Sequence, residues 1–242
     1  MSKPGSSTGR SQIAACRVGA AAFLVLCLSA PIPVSAAECG ANPKDGIDWT
    51  GCRKRNLMID GSKLNAAMLA EADFTSTDLR KSELSGADLQ KSTLVRSMLD
   101  NSNAAGANFE KAVGFRTSFV QADLSGAKFG KSEMQRADFT SANVTNVDFE
   151  KSELGRAIFT DATIDGAAFR FANLARADFR GAKFSSALDF EGAYFYRTRI
   201  EGVDLSKAVG LMQWQVDLAC GDDATLLPEG VGKPESWPCG DE

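Results

Sequence analysis

The stretch "FTSTDLRKSELSGADLQKSTL", residues 74–94, sets a large apolar residue at every fifth place: Phe74, Leu79, Leu84, Leu89 and Leu94. A small residue, Thr77, Ser82, Ala87 or Ser92, stands two places before each of the last four. A helix needs apolar spacings of three and four, and a strand needs two. A period of five belongs to neither. Counted outward, the large position runs from Leu64 to Phe184 without a slip, with Ala104 and Gly114 as its smallest occupants. The next large residue is Phe190, six places on, and Phe195, Ile200 and Leu205 then restore the period. One residue inserted near "SSALD" (185–189), as a bulge, accounts for the offset.

A strict short period over most of a chain means a solenoid, in which no repeat buries its own apolar face and neighbours must stack. Two inward residues per five, one large and one small, demand a turn in every pentad, and four turns close a square. Squares stacked at the strand-pairing distance of about 4.8 Å would make about seven coils and a rod of roughly 35 Å. A period of twenty tests this, and the sequence contains it. Arg96, Arg116, Arg136, Arg156 and Arg176 recur at that interval, Arg197 continues the series after the insertion, and Lys91, Lys111, Lys131 and Lys151 repeat it one face away. Phe109, Phe129, Phe149, Phe169 and Phe190 should line one wall, with Phe119, Phe139, Phe159 and Phe179 opposite.

The segments "GADLQKSTL" (86–94), "RADFTSANV" (136–144) and "LARADFRGAKF" (174–184) match A(D/N)LxX and resemble the pentapeptide-repeat family. The resemblance covers about residues 57–208. It implies an all-β fold, a right-handed quadrilateral parallel β-helix. The tail 210–237 also resembles the ending of some bacterial members, which says little about activity.

The first 37 residues read as a bacterial Sec signal peptide: Lys3, Arg10 and Arg17, then the apolar run "VGAAAFLVLCLSA" (18–30), then "VSAA" (34–37) with small residues at the cleavage positions. The apolar run is too short to span a bilayer, which takes about 20 residues. The expected organisation is a signal peptide at 1–37, an N-terminal cap at 38–60, the repeats at 61–207 and a C-terminal cap at 208–242. The expected location is periplasmic or secreted, with no transmembrane segment after cleavage. Of 27 basic residues in the whole chain, three leave with the signal, so 24 face 31 acidic ones and the mature net charge is -7. Neither composition nor charge suggests nucleic-acid binding. Cys39, Cys52, Cys220 and Cys239 remain, an even number suited to disulfides in an oxidising compartment. Four cysteines allow three pairings; Cys39 with Cys52 and Cys220 with Cys239 are the short-loop choices, each pinning one end. Without histidine or a CxxC pair, a metal site is not indicated, and no cofactor is called for.

Open coil ends expose unpaired strand edges, so caps are expected. Trp49 serves the first, and Leu211, Trp214 and Leu218, at helical spacing, suggest a short amphipathic helix over the last coil, with Trp237 packed there too. Loose tails are the alternative, and a homodimer through an end cap is a further expectation.

Two readings of the cationic columns stand side by side. Glu133, Asp138, Glu153 and Asp178 could neutralise the arginines and leave a solvated edge. Alternatively, Arg96, Arg116, Arg136, Arg156, Arg176 and Arg197, with Lys91, Lys111, Lys131 and Lys151, form a ladder for an unknown protein or an anionic envelope component. Catalysis through Ser/His/Asp or Cys/His groups is excluded by the missing histidine. A polysaccharide-acting β-helix enzyme would need long loops, and the pentads run without insertion. The family resemblance also brings in the DNA mimics that bind topoisomerase in quinolone resistance. Export and the cationic columns argue against that role. The expected function is a non-enzymatic exported scaffold.

Overall fold

The computed structural model describes residues 37–240; the expected signal peptide lies outside them apart from Ala37. The chain winds as a four-sided parallel β-helix. Each pentad contributes one bridge residue, the one before its large inward residue, and these pair in parallel at intervals of 20: Asp88 lies between Met68 and Asn108, and Glu133 between Val113 and Glu153. The interval is still 20 at Thr163–Lys183 and becomes 21 at Ala168–Asp189, which places the inserted residue between those pairs, as the count required. Asp165 holds this bulge by accepting from the backbone N–H and hydroxyl groups of Ser185 and Ser186. Pairing extends from Asp48 to Leu226, so the segments 38–60 and 208–242 join the ladder they close.

Why a pentad folds this way follows from its backbone donors. In residues 85–89 all five N–H groups have partners. The Ala87 N–H closes a turn onto the Leu84 carbonyl at 3.0 Å, Asp88 donates back one coil to Ala67, and Gly86 and Leu89 donate forward to Ala105 and Asn108. The fifth, Ser85 N–H, donates to the Asn65 side chain. Elsewhere the Asp or Asn before the large residue takes this last donor from two places on, as in Asp88 from Gln90 and Asp138 from Thr140. This is the physical reason for D/N in the motif: one carboxylate or amide oxygen satisfies the only turn donor that no carbonyl reaches. These N–H donors contribute to holding the Asp48, Asp78 and Asp204 carboxyls below the usual range; at Asp78 the Arg80 side chain acts first, and at Asp204 the Ser206 hydroxyl.

The turn dictates the remaining geometry. Every fifth residue from Gly46 to Gly181 has φ between 51° and 70°, the left-handed second position of a type II turn.

Inside, the two phenylalanine walls form a herringbone. Rings stack within a column, Phe119–Phe139 at 5.1 Å and Phe139–Phe159 at 4.8 Å, and meet edge to face across the axis, as Phe139 does with Phe129 and Phe149 at 6.0 and 5.7 Å. The small inward position hosts hydroxyls as well as alanines. Ser97, Thr117 and Ser152 donate to Phe74, Leu94 and Phe129 carbonyls in the preceding coil at 2.7–2.8 Å.

Gly114 shows that axial volume is shared between coils rather than only within one. A Cβ at this position would stand 2.4 Å from Met134 Sδ and 2.8 Å from Thr117 Oγ1. The methionine one coil on therefore fills the space that Phe109 and Phe119 alone would leave. Gly114→Leu should lower stability by about 1–3 kcal/mol, the usual overpacking range, and Met134→Ala in the same chain should recover most of it. Thermal melts check both; an unchanged midpoint for Gly114→Leu would contradict the register.

Both ends are closed by polar groups as much as by apolar ones. Cys39–Cys52 and Cys220–Cys239 are disulfide-bonded, each with 5.3 Å between Cα atoms. At the start, Lys54 occupies a large inward position, is 7% exposed, lies 3.6 Å from the Trp49 ring centroid and donates to the Cys39 carbonyl at 2.7 Å. Burial lowers its pKa. At the finish, α1 (Gln213–Val216) is a single turn. Its buried face is not the expected one: Trp214 and Leu218 are exposed, while Gln215 and Val216 are fully buried. Gln215 Nε2 donates to the Phe190 and Ala193 carbonyls, both at 2.9 Å. The Ala193 carbonyl, which no backbone N–H reaches, needs a donor more than the coil edge needs apolar cover, and that selects the face. Trp237 packs on Gly221 and donates to the Ala219 carbonyl at 2.8 Å.

Candidate functional site

The four corners of the coil carry different side chains, because the left-handed turn position recurs on each. Following the chain, one corner holds Lys91, Lys111, Lys131 and Lys151; the next holds Arg96, Arg116, Arg136, Arg156, Arg176 and Arg197; and the corner diagonally across from the arginines holds Gly86, Gly106, Gly126 and Gly166. A non-glycine residue in this conformation costs roughly 1–2 kcal/mol. The arginines therefore stand where glycine would be the easier occupant. Their backbone sets their register: Arg96, Arg116, Arg136 and Arg156 N–H groups donate to Phe115, Gln135, Gly155 and Ala175 carbonyls at 2.8–3.1 Å. Successive guanidinium stems thus leave the corner about 4.8 Å apart.

Three of the four carboxylates expected to neutralise this column, Asp138, Glu153 and Asp178, are engaged elsewhere. Asp178 pairs with Arg180 at 2.6 Å; burial raises its pKa, but the Arg180 hydrogen bonds and charge outweigh that and hold it low. Asp138 accepts from the Thr140 N–H and hydroxyl, and Glu153 accepts from Asn173 Nδ2. Among the described residues, Arg96, Arg116, Arg136 and Arg156 are exposed and have no carboxylate within 4 Å. Arg116 and Arg136 instead flank the Phe115 ring, at 5.3 and 5.7 Å from its centroid.

The other predicted members of the ladder differ. Lys91 pairs with Glu71 at 2.9 Å and Lys151 with Glu150 at 2.6 Å, so the lysine corner is half neutralised. Arg176 and Arg197, half-buried at the C-terminal end of the arginine corner, line a cavity of about 180 Å³ with Arg199, Glu201 and the Cys220–Cys239 disulfide. Arg199 is held there by Glu201 at 2.9–3.0 Å. The lysine and arginine corners bound one face of the rod, along which Thr93, Val113, Glu133, Glu153, Asn173 and Tyr194 form a continuous parallel ladder.

Sequence reasoning missed three features. Lys54 is in phase with the large positions and could have been found by counting back from Leu64. The role of Gln215 has no sequence signal. The residues preceding the arginines, Phe115, Gln135, Gly155, Ala175 and Tyr196, share the corner and give it a shape that charge counting does not show.

Among the described residues, no group of three or more His, Cys, Asp or Glu is placed to hold a metal ion, and no helix is long and apolar enough to cross a membrane.

Comparison with curated proteins finds no match. Several solved structures are similar. One is a pentapeptide repeat protein from the Arabidopsis thaliana thylakoid lumen, with 32% identity, covering 40% of this chain and 68% of that one, at a TM-score of 0.40. Another is HetL, a pentapeptide repeat protein involved in heterocyst differentiation regulation from the cyanobacterium Nostoc sp. strain PCC 7120, with 20% identity, 83% and 90% coverage and a TM-score of 0.34. A third is QnrB1, a plasmid-mediated fluoroquinolone resistance protein, with 16% identity, 80% and 92% coverage and a TM-score of 0.47. The family model for pentapeptide repeats matches in eight copies, over residues 60–95, 94–130, 117–156, 132–167 and 157–209. With the repeats matched across more than half of its length, and with the bridge interval of 20 that four pentads per coil require, the chain belongs to the pentapeptide-repeat family.

Proposed function

We propose that this protein is a non-enzymatic, exported β-helical scaffold of about seven coils that binds an anionic partner along its arginine corner. The observation that carries the reading is a row of exposed guanidinium groups, Arg96 to Arg156, kept without carboxylate partners at turn positions where glycine is conformationally cheaper. Neighbouring like charges about 5 Å apart repel by roughly 1 kcal/mol in water, and an anion laid along the row would reverse that sign. Export is supported by the leader-like segment 1–37 and by two disulfides, which belong to oxidising compartments. The same features disfavour a DNA mimic acting on topoisomerase, since cationic corners oppose a phosphate-like surface. A polysaccharide-cleaving role is disfavoured by the unbroken 20-residue pairing from Asp48 to Lys183, which leaves no loops to wall a cleft.

The test replaces Arg116, Arg136 and Arg156 together with Gln and measures binding to polyglutamate, polyphosphate and polygalacturonate over a salt series. Wild-type affinity for at least one of these should fall as salt rises, because exposed charges are screened beyond about 8 Å at physiological ionic strength. The triple variant should lose at least tenfold with its melting curve unchanged. Lys63→Gln with Lys183→Gln, on a different face, should change little. Equal affinities and salt responses in all three proteins would make the corner only a solvated edge.

A further inference from the structure

The arginine corner is more than a line of charge, and its second column narrows the ligand. Beside the arginines run Phe115, Gln135, Gly155, Ala175 and Tyr196, one per coil. Gly155 and Ala175 leave a shallow floor: a Cβ on Gly155 would meet nothing closer than the Ala175 carbonyl at 3.7 Å. Aromatic rings stand at both ends of this floor. Phe115 lies at one end, held between Arg116 and Arg136. At the other, Tyr196 and Tyr194 are 42% and 45% exposed and lie parallel, with 6.3 Å between centroids and 9° between planes. Phe115 and Tyr196 are four coils apart, about 19 Å at the strand-pairing spacing.

The charge beside the floor is mixed. Glu133 and Glu153 lie one column away on the adjoining face and are exposed. They would repel a densely charged polymer such as polyphosphate or a nucleic acid. They suit a ligand that carries hydroxyl donors as well as spaced anions.

Building on the anionic-partner reading, we propose that the occupant of this corner is a linear acidic polysaccharide with one carboxylate per sugar ring. Arg116, Arg136 and Arg156 offer one exposed guanidinium per coil, and its planar fork matches a carboxylate. Tyr196 offers a flat apolar face to the C–H face of a sugar ring at one end of the floor, which is long enough for about four rings, and Phe115 packs the guanidinium groups of Arg116 and Arg136 at the other. The Glu133 and Glu153 carboxylates accept from sugar hydroxyls along the side. An acidic protein segment would satisfy the arginines but leave the aromatic faces without a matching ring surface.

The experiment titrates the disulfide-bonded chain with polygalacturonate, polymannuronate and hyaluronate, and with polyglutamate as charge without rings. At least one of the three polysaccharides should bind tenfold or more tightly than polyglutamate. Tyr196→Ala should weaken it at least fivefold while leaving polyglutamate binding unchanged, and Tyr196→Phe, which keeps the ring, should bind as wild type. Melting curves identify any variant that fails to fold, and Tyr196→Leu, which keeps apolar bulk without a ring, stands in for Tyr196→Ala if needed. If polyglutamate binds as tightly as every polysaccharide and ignores the aromatic substitutions, ring recognition is refuted while the anionic reading survives. If no polyanion binds in an arginine-dependent way, both fall.

Discussion

Phe139→Ala should remove about 3–5 kcal/mol of stability, the range for truncating a buried aromatic residue. The ring is fully buried, stacks on Phe119 and Phe159, and meets Phe129 and Phe149 edge to face. The alanine would leave a void bounded by four other rings whose backbones are fixed by coil-to-coil hydrogen bonds, so little of it can collapse. Phe139→Leu should lose clearly less, because the same column already accommodates Leu79 and Leu99. Amide exchange would locate the damage. In a solenoid each coil contacts mainly its neighbours, so protection should drop first near Phe119 and Phe159 and last near Leu69. Denaturant melts of the two variants check the magnitudes; equal losses for Ala and Leu would mean that the ring contacts themselves, and not the apolar volume they fill, carry the stabilisation.

The second large effect is expected at the C-terminal end. Gln215→Leu keeps the side chain's bulk but removes both donors to the Phe190 and Ala193 carbonyls and the acceptor for the Met212 N–H. A buried polar group left unsatisfied costs about 1–3 kcal/mol; the Phe190 carbonyl keeps the Ala193 N–H, so the Ala193 carbonyl and the Met212 N–H together should cost at least about 2 kcal/mol. The loss should be local. Amides of Ala193 and Thr198 should exchange faster, while those of Phe109 to Phe149 stay protected. A uniform fall along the rod would mean that the helix end does not close a separable last coil, and wild-type exchange at Ala193 would deny Gln215 its role.

How much of this was legible beforehand depends on which residues repeat. The five-residue spacing from Leu64 to Phe184, the bulge near Ser185 and the two phenylalanine walls could all be read in one dimension, because a solenoid maps sequence separation directly onto position: twenty residues is one step along the axis. The disulfide pairing was open among three choices in the sequence, and the structure forms the two short-loop pairs, each pinning its own end. The aperiodic residues were not. Trp214 and Leu218 promised an apolar helix face, yet the buried side chain is Gln215, because the need of the Ala193 carbonyl for a donor exists only once the last coil is in place. The cationic columns divide similarly. Their periodicity put Arg96 to Arg156 on one line, but whether Asp138, Glu153 and Asp178 would neutralise them turned on side-chain competition between nearby partners. Thr140, Asn173 and Arg180 hold those carboxylates, and Arg96, Arg116, Arg136 and Arg156 are left facing water. Sequence by itself determined where each side chain stands along the rod; the tertiary structure decided what it touches, because hydrogen-bond partners are chosen among neighbours that only the stacked coils bring together.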